Sequence, residues 1–83
     1  MTIITLPQLS LDMENGTLVS WNKMPGDTFR KGETLFEVES KKVVFEVASK
    51  NGGTIRDIYF EEGEQIDVGQ AVLSVEYFSE EAQ

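Results

Sequence analysis

Two adjacent lysines, Lys41 and Lys42, stand between two runs of alternating apolar and polar residues. A lysine amine becomes a nucleophile once it loses its proton, and its ordinary pKa of about 10.4 keeps it almost wholly protonated at neutral pH. Presented in water, such an amine suits amide formation with an activated carboxyl group, which removes its charge. The competing reading is a solvated tip whose charge discourages edge-to-edge association. Other chemistry is narrowly bounded. The 83 residues include no histidine and no cysteine, which excludes Ser-His-Asp and Cys-His arrangements, thiolate metal sites and disulfides within this chain.

The flanking segments fold on paper into a hairpin. With Lys41-Lys42 as a two-residue turn, Ser40 faces Val43, Val38 faces Phe45 and Phe36 faces Val47, so one face is apolar. Glu39 then faces Val44, and Glu37 faces Glu46 on the other side. A slip of one residue would scatter the apolar set, so the register is self-consistent. The turn itself is unexpected, because two-residue hairpins favour Asn-Gly, Asp-Gly or Gly-Gly and lysine brings no turn chemistry.

The rest of the chain reads as strands. Thr2 to Leu6, Thr17 to Trp21, Leu35 to Ser40, Val43 to Val47, Thr54 to Phe60 and Ala71 to Tyr77 are short apolar or alternating runs. Turn residues separate them: Asn15-Gly16, Pro25-Gly26-Asp27, Lys31-Gly32, Asn51-Gly52-Gly53, Gly63 and Gly69. No stretch sustains a helical stripe, so an all-β sandwich or barrel is expected. Residues 26–39 match residues 63–76 at a constant offset of 37: a glycine, an acidic residue, an apolar position, a second glycine and then a strand. Two similar β-units related by a pseudo-twofold axis follow from that repeat. The expected core is Ile4, Leu18, Val19, Phe29, Leu35, Phe36, Val38, Phe45, Val47, Ile55, Ile66, Ala71, Leu73 and Val75. Trp21 is expected to pack rather than lie bare.

Length and charge set further bounds. Eighty-three residues make one small domain, residues 1–78 by this reading, with a polar tail over 79–83. The formal net charge is −8, and no basic residue follows Arg56. That balance opposes nucleic-acid binding and favours partners with basic surfaces. No apolar run approaches the roughly 18 residues of a membrane span, and the start lacks the pattern of a signal peptide.

With Leu6-Pro7-Gln8-Leu9-Ser10, Met13, Gly16, Trp21, residues 26–33 and Glu39-Ser40-Lys41-Lys42-Val43, the chain resembles the lipoyl domains of 2-oxo acid dehydrogenase acyltransferase components. The second half, from Asn51-Gly52-Gly53 to Val68-Gly69-Gln70, fits the same pattern. The resemblance implies a flattened barrel of two four-stranded antiparallel sheets, with the modified lysine at one end and the termini at the other. It aligns Lys42 with the lipoyl-bearing lysine, while Lys41 replaces the family's aspartate and Val43 its alanine. Glu39, Ser40, Lys41 and Val43 are the implied recognition residues, with the loop Leu9-Ser10-Leu11-Asp12 beside them.

The implied role is that of a non-catalytic carrier whose covalent lipoate is a swinging arm. Its partners would be a lipoate-attaching enzyme, a thiamine-dependent 2-oxo acid decarboxylase, an acyltransferase core and dihydrolipoyl dehydrogenase. The isolated domain would be a monomer in the cytoplasm, or in the mitochondrial matrix of a eukaryote. Two alternatives are a biotin carboxyl carrier domain, with biotin on the same lysine, and an unmodified lipoyl-like interaction module.

Overall fold

The computed structural model describes residues 1–78. The tail expected over 79–83 lies outside the described residues. Eight strands form, β1 (Thr2–Thr5), β2 (Asn15–Trp21), β3 (Thr28–Phe29), β4 (Thr34–Ser40), β5 (Val43–Ala48), β6 (Gly53–Ile58), β7 (Gln65–Asp67) and β8 (Ala71–Tyr77). They build two four-stranded antiparallel sheets, ordered β1-β8-β6-β3 and β5-β4-β2-β7. The fold is therefore the expected all-β sandwich. Strands β3 and β7 were not among the expected runs, because two or three residues are too few to display an alternation.

The 37-residue repeat is visible in the backbone. Gly26 and Gly63 both have φ of 94°, and Gly32 and Gly69 have φ of 89° and 94°. Those values lie where an L side chain is strained, which accounts for glycine at all four turns. Side chains cap both copies alike: Met24 N–H donates to Asp27 Oδ2 at 2.9 Å, and Glu61 N–H to Glu64 Oε1 at 2.7 Å. The two halves also cross-link. Gly26 N–H donates to Ile55 O at 2.9 Å, while Gly63 N–H donates to Leu18 O at 2.8 Å. Each half's glycine turn is thus bonded to the other half's strand. Removing either half would leave the other's turn and strand without their partners.

The core holds Leu6, Met13, Leu18, Phe29, Leu35, Phe36, Val38, Val47, Ile55, Ile66, Val72, Leu73 and Val75. Ile4, Phe45 and Trp21 pack against it partly buried. Trp21 stacks obliquely on Phe36, with ring centroids 5.4 Å apart, and its Nε1–H donates to Phe60 O at 3.0 Å. Two expected core residues, Val19 and Ala71, are exposed instead. Val19 falls at the register shift between Leu18 and Ser20, where β2 carries an extra residue opposite β4. The buried neighbour is Leu18, and Val19 points outward. A second shift, between Ile55 and Asp57, occupies the repeat-related place in β6. Ala71 opens β8, and the buried run begins one residue later at Val72.

Candidate functional site

The β4–β5 hairpin pairs Ser40 with Val43, Glu39 with Val44, Val38 with Phe45, Glu37 with Glu46 and Phe36 with Val47. This is the register expected from alternation alone. Phe36, Val38 and Val47 are buried, so the finger is nailed to the core by one face. Burying such side chains is worth about 1.5–3 kcal/mol each. The like-charged Glu37–Glu46 pair is eased at one end, where Thr34 Oγ1 donates to Glu46 Oε1 at 3.2 Å.

Lys41 and Lys42 form the two-residue tip, with φ of 53° and 69°. They are the described non-glycine residues with positive φ. Left-handed backbone costs an ordinary residue about 1–2 kcal/mol. The chain keeps lysine at both positions where Asn-Gly would relieve that strain, and retention of strain at an exposed tip points to a functional demand.

The two amines differ in surroundings. Lys41 Nζ donates to Asp12 Oδ2 at 2.5 Å. That hydrogen bond, aided by the charge of Lys41, holds the Asp12 carboxyl below its ordinary pKa. Lys42 is exposed, and its amine has no hydrogen bond or ion pair among the described residues. Glu39 and Val43 are also exposed on the finger, and Ser40 is partly buried. The family resemblance implied that the loop Leu9–Asp12 lies beside the tip, and Asp12 accepts the hydrogen bond from Lys41 there.

The loop is held from beneath. Gln8 Nε2 donates to Leu11 O at 2.9 Å and to Met13 O at 3.3 Å. Leu6 and Met13 are buried on either side of it, and Leu9 N–H points at Met13 Sδ, 3.4 Å away. The positioning role of Gln8 was missed, since an exposed glutamine in a loop gives no signal in sequence. Leu11 is fully exposed beside this support.

The tip lies far from the chain's start. Thr34, at the opposite end of β4, pairs with Ala48, and Ala48 shares a surface groove with Thr2 and Tyr77. The seven residues of β4 place the tip about 20 Å from that end.

A rigid two-stranded finger ending in an exposed primary amine is suited to presenting a covalent group. Comparisons with known proteins identify the family. The family model described as biotin-requiring enzyme, the biotin/lipoyl model, matches residues 2–75. The chain belongs to that biotin/lipoyl attachment family.

Its relatives place it on the lipoyl side. It is 36% identical over 72 residues to the dihydrolipoyllysine-residue succinyltransferase component of the 2-oxoglutarate dehydrogenase complex of Staphylococcus saprophyticus. That match takes in 87% of this chain and 17% of the relative. The lipoamide acyltransferase component of the branched-chain alpha-keto acid dehydrogenase complex of Bacillus subtilis is 37% identical over 73 residues, 88% of this chain and 17% of that protein. Among solved structures, the lipoyl domain of the 2-oxoglutarate dehydrogenase complex of Azotobacter vinelandii superposes with a TM-score of 0.76 at 29% identity. The superposition covers 90% of this chain and 96% of that one. The chain is thus a lipoyl-type carrier domain, non-catalytic in itself, and it spans under a fifth of the length of these curated relatives.

The Asp12–Lys41 pair has a measurable signature. The Asp12 carboxyl should titrate below the ordinary carboxylate range by side-chain NMR, and Lys41→Met should return it upward. Because the folded-state value is the lower one, the pair's support is whole above the unfolded-state pKa. It is lost as acid is added through the folded-state pKa. An Asp12 titration unmoved by Lys41→Met would mean the contact does not persist in solution.

Proposed function

We propose that Lys42 carries lipoate in amide linkage and that the domain ferries acyl groups between active sites of a 2-oxo acid dehydrogenase-type complex. One observation carries this reading: of the two tip amines, only the exposed Lys42 Nζ has no hydrogen bond or ion pair among the described residues, on a finger anchored to the core. The residues fit the group. An amide to lipoate needs a reachable amine and open space for a long arm, and the tip supplies both. Biotin would meet the same amine, but the acyltransferase relatives named above are lipoyl proteins.

Attachment follows ordinary acyl transfer. The neutral Lys42 amine attacks the carboxyl carbon of lipoate activated as a mixed anhydride with a phosphate. The C–N bond forms, and the C–O bond to the phosphate breaks. The phosphate departs with the electron pair, and the nitrogen's proton passes to water. When bound, lipoate supplies a reducible disulfide that takes up and releases acyl groups. The chain's own contribution is placement. The paired strands fix the root of the arm, Val43 borders it with a half-exposed apolar side chain, and tethering raises the arm's local concentration at each partner. Those partners are a thiamine-dependent decarboxylase, an acyltransferase core, dihydrolipoyl dehydrogenase and the lipoate-attaching enzyme. The acidic surface, at a net charge of −8, favours basic docking faces on them.

Intact-mass spectrometry tests the reading. The domain is incubated with ATP and either lipoate plus a lipoate ligase or biotin plus a biotin ligase. The expected result is one lipoyl adduct and no biotinyl adduct. Failure to gain lipoate, while a reference lipoyl domain in the same mixture does so, would overturn it.

A further inference from the structure

A tandem lysine tip poses a selection problem, since two chemically equal amines sit one residue apart in the same strained turn. Their environments separate them. Lys41 Nζ is bound to Asp12 Oδ2 at 2.5 Å, across 29 residues of sequence. The loop bearing Asp12 is fixed by Gln8, whose side-chain amide donates to two loop carbonyls, and by the buried Leu6 and Met13. A paired ammonium is oriented toward its carboxylate and must leave it before its nitrogen can approach an acyl donor, so it is the less available nucleophile. Lys42 has no such restraint among the described residues.

We propose that Asp12 is a specificity-determining residue that holds Lys41 and so directs acylation to Lys42. The inference rests on the reading that the tip is the attachment site. Asp12 acts through Lys41 and is a positioning residue. The pair is largely exposed, with side-chain accessibilities of 63% for Lys41 and 71% for Asp12. Exposed pairs are weak, so the bias should be a few-fold.

The test reads the position of the adduct. The wild type, Asp12→Ala and Asp12→Glu are labelled in two ways: with lipoate, ATP and a lipoate ligase, and chemically with a limiting amount of an acetylating N-hydroxysuccinimide ester. Cleavage after glutamate releases Ser40–Glu46, and fragment ions between the two lysines assign each adduct. Wild type should carry its lipoyl group at Lys42, and its chemical acetylation should favour Lys42 several-fold. Asp12→Ala should raise the share at Lys41 by about three- to ten-fold in both experiments, and Asp12→Glu should restore the wild-type pattern. A change that merely loosened the fold would alter total yield without moving the adduct between neighbours. An unchanged Lys41 share in chemical acetylation of Asp12→Ala would overturn the proposal. Chemical redistribution with enzymatic labelling still confined to Lys42 would overturn it also, because the ligase would then be choosing by itself. A wild type that takes no lipoate, yet shows the chemical bias, would refute the attachment reading and leave Asp12's hold on Lys41 demonstrated.

Discussion

Lys42→Arg should leave the domain with no lipoyl adduct, a loss of more than about a hundred-fold in labelling rate. Arginine keeps the charge and the reach but supplies no neutral amine, since its guanidinium stays protonated at any working pH. The side chain at this position is exposed and makes no hydrogen bond or ion pair among the described residues, so thermal stability should change by no more than about 0.5 kcal/mol. Lys42→Gly should lose the adduct equally and gain up to about 1 kcal/mol, because glycine adopts φ of 69° without strain. The two variants separate the chemical demand on this position from its conformational one. Intact mass and a denaturant melt read both. Wild-type labelling of Lys42→Arg would remove Lys42 from its proposed role, and a less stable Lys42→Gly would show that the turn carries no strain.

Gly53→Ala should be the most damaging small substitution in the fold. A Cβ at this position would lie 2.5 Å from Glu76 O and 2.9 Å from Tyr77 Cα. Both atoms are backbone, held by the β6–β8 ladder in which Gly53 pairs with Tyr77. Neither can withdraw by changing rotamer. Overpacking of this kind costs typically 1–3 kcal/mol, and the rigid neighbours place Gly53→Ala at about 3 kcal/mol. A domain of this size has on the order of 4–12 kcal/mol in all. The melting temperature should fall by roughly 10–20 °C. The repeat provides an internal control. Gly16 occupies the equivalent place in β2, where an added Cβ would meet Val38 Cγ2 at 2.6 Å. That atom belongs to a side chain, and the nearest backbone atom, Glu39 O, is farther off at 3.2 Å, so Gly16→Ala should cost less than Gly53→Ala, about 1–2 kcal/mol even though Val38 is buried. Equal melts for the two variants would show that strands β6 and β8 part as easily as a valine turns.

Both glycines had looked like turn residues. In sequence, Asn15-Gly16 and Asn51-Gly52-Gly53 resemble any other break between apolar runs. In the fold, Gly16 and Gly53 lie inside strands and are buried, because another strand passes too close for a side chain. Gly26, Gly32, Gly63 and Gly69 are the true turn glycines, with positive φ. Nothing in the local pattern separates the two uses, since one is a matter of torsion and the other of a neighbour distant in sequence.

The hairpin was legible because its information is local. Seven residues before the tip and six after it carry a period-two alternation, and a single register satisfies both sides. The repeat was legible because the two halves kept the same glycines and the same strand at one offset. From these came the fold class, the tip and the two candidate amines. What sequence left open was which neighbours meet. The outward turn of Val19 depends on an extra residue opposite β4. Strands β3 and β7 exist only because β6 and β2 are there to pair with them. The difference between Lys41 and Lys42 comes from a carboxylate 29 residues away, carried by a loop with no strand pattern of its own. Alternation and turn chemistry are properties of adjacent residues, so the chain alone can state them. Close approach, strand pairing and ion pairing depend on distances that exist only after the two halves have closed on each other.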